Sequence, residues 1–259
     1  MRVTVPFCVL LAASGVLGPG LVSSASAQPQ PQPKVIRVDF MKIVEGKASE
    51  YAKLEEMWKT VHQDRVKKGQ IESWSVYSVL FPGASTSREY DAVTMTVFST
   101  FAKMERSYDE DQIAKIRSFP LAQEIRKIVR DEIWYLHLTA GTDFLASKYA
   151  TVLFHKAKLG QLGDYLRAQK ENYVSINEDL IKSGVRKAWH SLGVMYPSSS
   201  RREYDWVTFD CFDRFDAPVV NTVAGIDPQR LSAANKAVSA HREVVLNEYW
   251  QLVNRTAPK

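Results

Sequence analysis

Apolar and polar positions alternate from Val35 to Ile43, with Ile36, Val38 and Phe40 on one side and Arg37, Asp39 and Met41 on the other. A two-residue period of this kind predicts a strand. After Gly46 the period lengthens, and Tyr51, Leu54, Trp58 and Val61 recur at three and four residues. That spacing predicts a helix running to about Lys68, with Gly69 as its C′ residue. Ile71 to Phe81 reads as a second strand, PGASTS as a turn, and Arg88 to Phe98 as a third strand. A charged helical region broken at Pro120 follows. The stretch LAQEIRKIVRDE then reads as a further helix, and Ile133 to Leu138 as a fourth strand.

The same pattern then starts again. REYDAVTMTVFSTF at 88–101 returns 114 residues later as REYDWVTFDCFDRF at 202–215, with eight of fourteen positions identical. Phe154 answers Phe40, Tyr165 answers Tyr51, Gly184 answers Gly69, and NEYWQL at 247–252 answers DEIWYL at 131–136. Self-similarity along a whole unit points to internal duplication, with repeats at 35–140 and 149–254. Each repeat has the order βαββαβ, the ferredoxin-like arrangement. The expected class is α+β, with helices on one face of each four-stranded antiparallel sheet and the two sheets facing each other.

The order of elements, the long first helix ending at Gly69 or Gly184, and the paired W…REYD…F hairpins resemble the dimeric α/β-barrel superfamily. The likeness is to a tandem, secreted form and covers residue 35 to about 254. It implies an intramolecular version of a barrel otherwise built from two chains. The superfamily contains cofactor-free monooxygenases, haem-degrading enzymes, chlorite dismutases, lactone isomerases and proteins with no known activity, so the resemblance leaves function open.

The amino terminus adds a location. Arg2, the apolar run from Val5 to Leu17 and Ala25-Ser26-Ala27 form the pattern of a cleaved signal peptide over 1–27. The Gln/Pro stretch at 28–34 reads as a linker. The expected location is periplasmic or secreted, with no membrane attachment after cleavage. The net charge of +5 is spread along helices and interleaved with acids, which argues against a nucleic-acid partner. Cys211 is the one cysteine beyond the signal, and its apolar strand context predicts an inert buried thiol.

If Val93, Met95 and Val97 pack on helices, the opposite strand face points between the sheets. That parity sends Arg37, Asp39, Tyr90 and Thr94 inward from the first repeat, and Tyr204, Trp206 and Thr208 from the second. These are the candidate ligand-binding residues. The aromatic walls and few polar tips suit a small apolar or aromatic molecule; the alternative is an interior that these side chains simply fill. His155 and Asp210 also fall on this face, where an imidazole–carboxylate pair would serve as general base. The REYD tetrad reads as structural because it follows a turn in both copies. His62 lies beside the apolar stripe of the first helix and reads as a boundary residue. No H-x-x-x-H spacing supports a metal site. The sequence requires no cofactor, and haem is disfavoured because no histidine has an evident proximal-ligand setting.

These readings predict a periplasmic or secreted small-molecule-binding barrel. The rival is a cofactor-free monooxygenase or isomerase-type enzyme with its site between the sheets, and a haem-binding protein ranks third.

Overall fold

The computed structural model describes residues 33–82, 89–105, 108–141, 146–198, 202–217 and 226–258. The expected signal segment, the linker as far as Gln32, and Arg88 lie outside these residues. Strands β1 (Val35–Ile43), β2 (Ser73–Phe81), β3 (Ala92–Phe98) and β4 (Arg126–Ala140) come from the first half of the chain. Strands β5 (Tyr149–Ala157), β6 (Ala188–Tyr196), β7 (Trp206–Phe212) and β8 (Arg242–Thr256) come from the second.

All eight pair antiparallel and close into one barrel in the order β1-β3-β2-β8-β5-β7-β6-β4. The two 15-residue strands make the closure. β4 pairs with β1 over its first part and with β6 over its last; β8 does the same with β5 and β2. Closure leaves no open sheet edge.

Helix α1 (Ala48–Lys67) crosses the outside of the first half. It ends as its sequence predicts: Gly69 has φ +65°, and its N–H and that of Gln70 bond the carbonyls of Val66 and Arg65, the Schellman arrangement. Short helices α2 (Phe101–Met104) and α3 (Glu110–Arg117) follow. The second half carries α4 (Leu162–Ala168), a π turn at Gln169–Tyr173, α5 (Val174–Lys182) and α6 (Pro228–Ser239).

LAQEIRKIVRDE is not a helix. A 3-10 turn covers Ala122–Glu124, and β4 begins at Arg126. Pairing with β1 at nine positions of β4 outweighs the helical propensity of Glu, Arg and Lys.

The barrel interior is the largest apolar cluster. Ile36, Val38, Phe40, Val93, Met95 and Val97 meet Val152, Phe154, Val207, Phe209 and Cys211 there, with Trp134 and Trp250 at the centre. Phe209 and Trp250 lie 5.5 Å apart edge to face, and Trp134 is 6.3 Å from Phe209. This inverts the expected parity: Val93, Met95 and Val97 face the interior, and the amphipathic face lies under the helices. The reason is dryness. Both sheets share the closed interior, so it takes the most apolar face, at about 1.5–3 kcal/mol for each large side chain buried. The helix-covered face is bounded on one side by an amphipathic helix and tolerates polar positions.

Candidate functional site

The core-facing side of α1 is unusual in being partly charged. Tyr51, Leu54, Glu55, Trp58, Val61, His62 and Arg65 share that side, each with neighbours three or four residues away. Glu55, His62 and Arg65 are only 4%, 5% and 6% exposed. They cannot close on the sheet as aliphatic side chains would, and a cavity of 410 Å³ remains between α1 and the outer face of β1, β2 and β3. Arg37, Asp39, Thr94 and Thr96 form its strand side; Trp74, Phe98 and Tyr108 supply further aromatic surface.

A bulge in β4 completes the site. Phe40 pairs with Arg130, but Met41 pairs with Ile128, leaving Val129 as the extra residue. The extra residue flips the side-chain alternation. Arg126 and Ile128 therefore line the cavity, while Glu132 and Trp134 stay on the interior side.

Two ion pairs cross the cavity wall. Arg37 donates from Nε to Asp39 Oδ1 at 3.0 Å, and Arg126 Nε lies 3.3 Å from Glu55 Oε1. Burial pushes the Glu55 carboxyl up to about 7, against the opposing pull of Arg126 and the Tyr51 hydroxyl. Burial also raises Asp39, with Arg37 opposing. His62 is sandwiched between Trp58, centroid distance 5.8 Å, and Trp74, at 4.8 Å. Burial, then the Arg65 cation, lowers its pKa to about 3, so the imidazole is neutral. Arg65 stacks 4.5 Å above the Tyr108 ring. A second cavity of 220 Å³, lined by Tyr51, Val76 and Ala92, shares Glu55 as a wall with the first.

The corresponding layer of the second half is occupied by its own side chains. Met41 pairs with Ala92 where His155 pairs with Trp206. Trp206 packs against Tyr165, Ala168 and Val238 and bonds Ser191 through its indole nitrogen. Ser191 donates to Gln169 at 2.6 Å.

The sequence-predicted residues divide among three places. Arg37, Asp39 and Thr94 do line one cavity, but beneath α1 rather than between the sheets. Tyr90 and Tyr204 lie in the interior cluster and hydrogen-bond to glutamates, Glu248 and Glu132. Trp206, Thr208, His155 and Asp210 sit in the helix-covered layer of the second half. His155 and Asp210 are not paired. His155 bonds Thr208 Oγ1 at 2.9 Å and contacts Arg242, whereas Asp210 pairs with Arg186 at 2.9 Å. Each already has a fixed partner. The space between the sheets is filled with apolar side chains, so that location is also corrected.

Sequence reading missed Glu55, Trp58, His62, Arg65, Trp74 and Arg126. The available signal was the three charged or ionisable residues on the apolar side of α1. Arg126 had none, since its orientation depends on the bulge at Val129.

Haem does not fit these residues. An axial histidine needs an acceptor on its other ring nitrogen to hold its tautomer. His62 Nδ1 is buried without a hydrogen-bond partner, and both ring faces are covered by tryptophans.

No family model matches the chain, and no curated protein does. Solved structures do match in fold. An anthrone oxidase-like protein superposes with TM-score 0.51 at 15% identity, covering 88% of this chain and 94% of that one. A protein described as a monooxygenase, from Lactobacillus acidophilus, gives 0.53 at 12% identity, covering 87% and 97%. A haem-binding protein from Thermus thermophilus gives 0.50 at 9% identity, covering 86% and 92%. With the strand order, these likenesses establish the dimeric α/β-barrel fold. At such identities they establish the fold alone.

Proposed function

We propose that the chain is a tandem duplication in which the first repeat keeps an open site beneath its long helix, and that this site binds a small, partly aromatic molecule. One observation carries the reading. Three residues around the 410 Å³ cavity hold buried polar atoms with neither a hydrogen-bond partner nor an ion pair: Trp58 Nε1, His62 Nδ1 and Arg65 Nε. Each unsatisfied buried group costs about 1–3 kcal/mol. A cavity lined by three of them suits an occupant that offers polar groups as well as rings. The offsets support duplication: Gly46 and Gly160 are 114 apart, Gly69 and Gly184 are 115 apart, and the π turn at Gln169–Tyr173 lies between.

A second reading rests on Glu55. A carboxyl held near 7 beside a ligand cavity suits a general base. It would abstract a proton from a ring hydroxyl or acidic carbon, as cofactor-free monooxygenase or isomerase chemistry requires. Glu55 takes the role first given to His155 and Asp210. We further infer export to the periplasm or medium, with the mature chain beginning at Gln28.

The test is a native mass spectrum and absorption spectrum of the protein purified from its secretory compartment. A retained small-molecule mass, absent in Thr96→Trp, is the expected result. Loss of binding in Thr96→Trp, with the fold intact by circular dichroism, places the occupant under α1. No retained mass, together with identical thermal shifts for wild type and variant across an aromatic screen, sinks the reading. Amino-terminal sequencing of the same sample checks cleavage after Ala27.

A further inference from the structure

We propose that the cavity under α1 selects an aromatic molecule bearing one negatively charged group, with Arg65 as its counter-ion. This deepens the binding site proposed above and rests on it. The observation is an imbalance among the arginines. Arg37 is paired with Asp39 and Arg126 with Glu55. Among the described residues, Arg65 has no carboxylate within ion-pair distance, and its Nε has no acceptor. Glu105, the remaining acid on the lining, is exposed and pairs with no described residue.

Arg65 sits in the last turn of α1, from which a long side chain can reach water. Its neighbours Lys67 and Lys68 are exposed. Arg65 instead turns inward, 6% exposed, with its guanidinium over Tyr108 and Phe98 at 4.5 and 5.8 Å. Cation–π contact holds the group in place but uses the faces of the rings, not the guanidinium N–H donors. A buried cation without a carboxylate is costly, and its planar fork matches a carboxylate or phenolate edge.

The second half supplies the contrast. Arg186 occupies its helix-covered layer, and there the Asp210 carboxylate pairs with it at 2.9 Å. The walls around Arg65 are Trp58, Trp74, Phe98 and Tyr108, and 410 Å³ accommodates one to three rings.

The experiment titrates the purified protein by calorimetry with 2-naphthoate and with its neutral analogue 2-naphthamide. Naphthoate is expected to bind at least tenfold more tightly. Arg65→Met should bring naphthoate down to the naphthamide level and leave naphthamide unchanged; Arg65→Lys should retain part of the preference. Equal affinities in the wild type, both abolished by Thr96→Trp, overturn the counter-ion role and leave the cavity standing. No binding of either probe overturns the site and the inference together. A naphthoate preference that survives Arg65→Met, or that Thr96→Trp does not touch, assigns it to another cation and also overturns the proposal. If Arg65→Met fails to fold, the wild-type ratio and Arg65→Lys still decide.

Discussion

The Tyr90 hydroxyl donates to the Glu248 carboxylate at 2.7 Å, joining positions 158 residues apart. Tyr204 donates to Glu132 at the same distance, so each half of the chain supplies the phenol for the other half's glutamate. Each glutamate also accepts an indole N–H two residues away, from Trp134 at 2.6 Å and from Trp250 at 2.7 Å. Arg130 lies over both tyrosine rings, at 5.5 and 5.4 Å, with its Nε 3.3 Å from Glu132. These contacts tie the two sheets at one end of the barrel. They give the tyrosine of REYD the same structural role at both of its occurrences.

Removing either hydroxyl leaves a buried carboxylate with one donor fewer. Tyr90→Phe and Tyr204→Phe should each lower stability by about 1–3 kcal/mol, measured by chemical denaturation. Because both rings lean on Arg130, the double variant should depart from additivity. A loss below about 0.5 kcal/mol in each single variant would show that the inter-half bonds do not bear on stability.

Gly193 gives a second prediction, in the packed half. It pairs with Trp206 on one side and Tyr135 on the other. A Cβ there would run into the Tyr135 ring and stand 2.6 Å from Trp206 Cζ3. Both rings are wedged: Tyr135 sits 5.5 Å from Trp206, which sits 6.2 Å from Tyr165. Gly193→Ala should therefore cost about 1–3 kcal/mol through overpacking. Trp206→Phe, which frees space beside the new methyl, should recover part of that loss relative to the sum of the single changes. Unchanged denaturation midpoints in Gly193→Ala would mean that this layer is looser than its contacts imply.

Local pattern carried the elements a long way. Alternation alone placed β1 at Val35–Ile43, and Gly69 marked the end of α1. It failed where the answer depended on pairing between distant segments. β4 reads as helix in LAQEIRKIVRDE because its charged residues have helical propensity, and only the ladder to β1 makes it a strand. The inner face was misassigned because an apolar strand face suits a helix layer or a closed barrel interior equally well. What separates them is barrel closure through β2–β8 and β4–β6, a property of the whole chain. Arg37, Asp39 and Thr94 were legible as a shared face. Their partners on α1 were not, because polar residues on an apolar helix stripe read as boundary residues until a cavity gives them a place.

The titration of the cavity yields the most discriminating prediction, because two of its groups act in opposite directions. Glu55 has its folded-state pKa raised from 4.5 to about 7. Its contribution is fully present below pH 4.5 and is lost as pH rises through 7, a swing of roughly 3 kcal/mol. His62 has its folded-state pKa lowered from 6.5 to about 3. Its contribution is fully present above pH 6.5 and is lost on acidification toward 3, at about 1.4 kcal/mol per pH unit. Between pH 4.5 and 6.5 the two slopes cancel. Glu55→Gln should remove one slope, so the variant loses stability relative to wild type as pH falls through this window. His62→Phe, which keeps a ring between Trp58 and Trp74, should do the reverse and gain relative to wild type as pH falls. Burial and Arg65, not Glu55, shift His62, so the double variant should return to a flat difference. Urea denaturation at half-unit steps from pH 4 to 8 reads all three differences. Parallel profiles for wild type and Glu55→Gln would mean that Glu55 ionises normally in the folded protein, and its candidacy as a general base would end there.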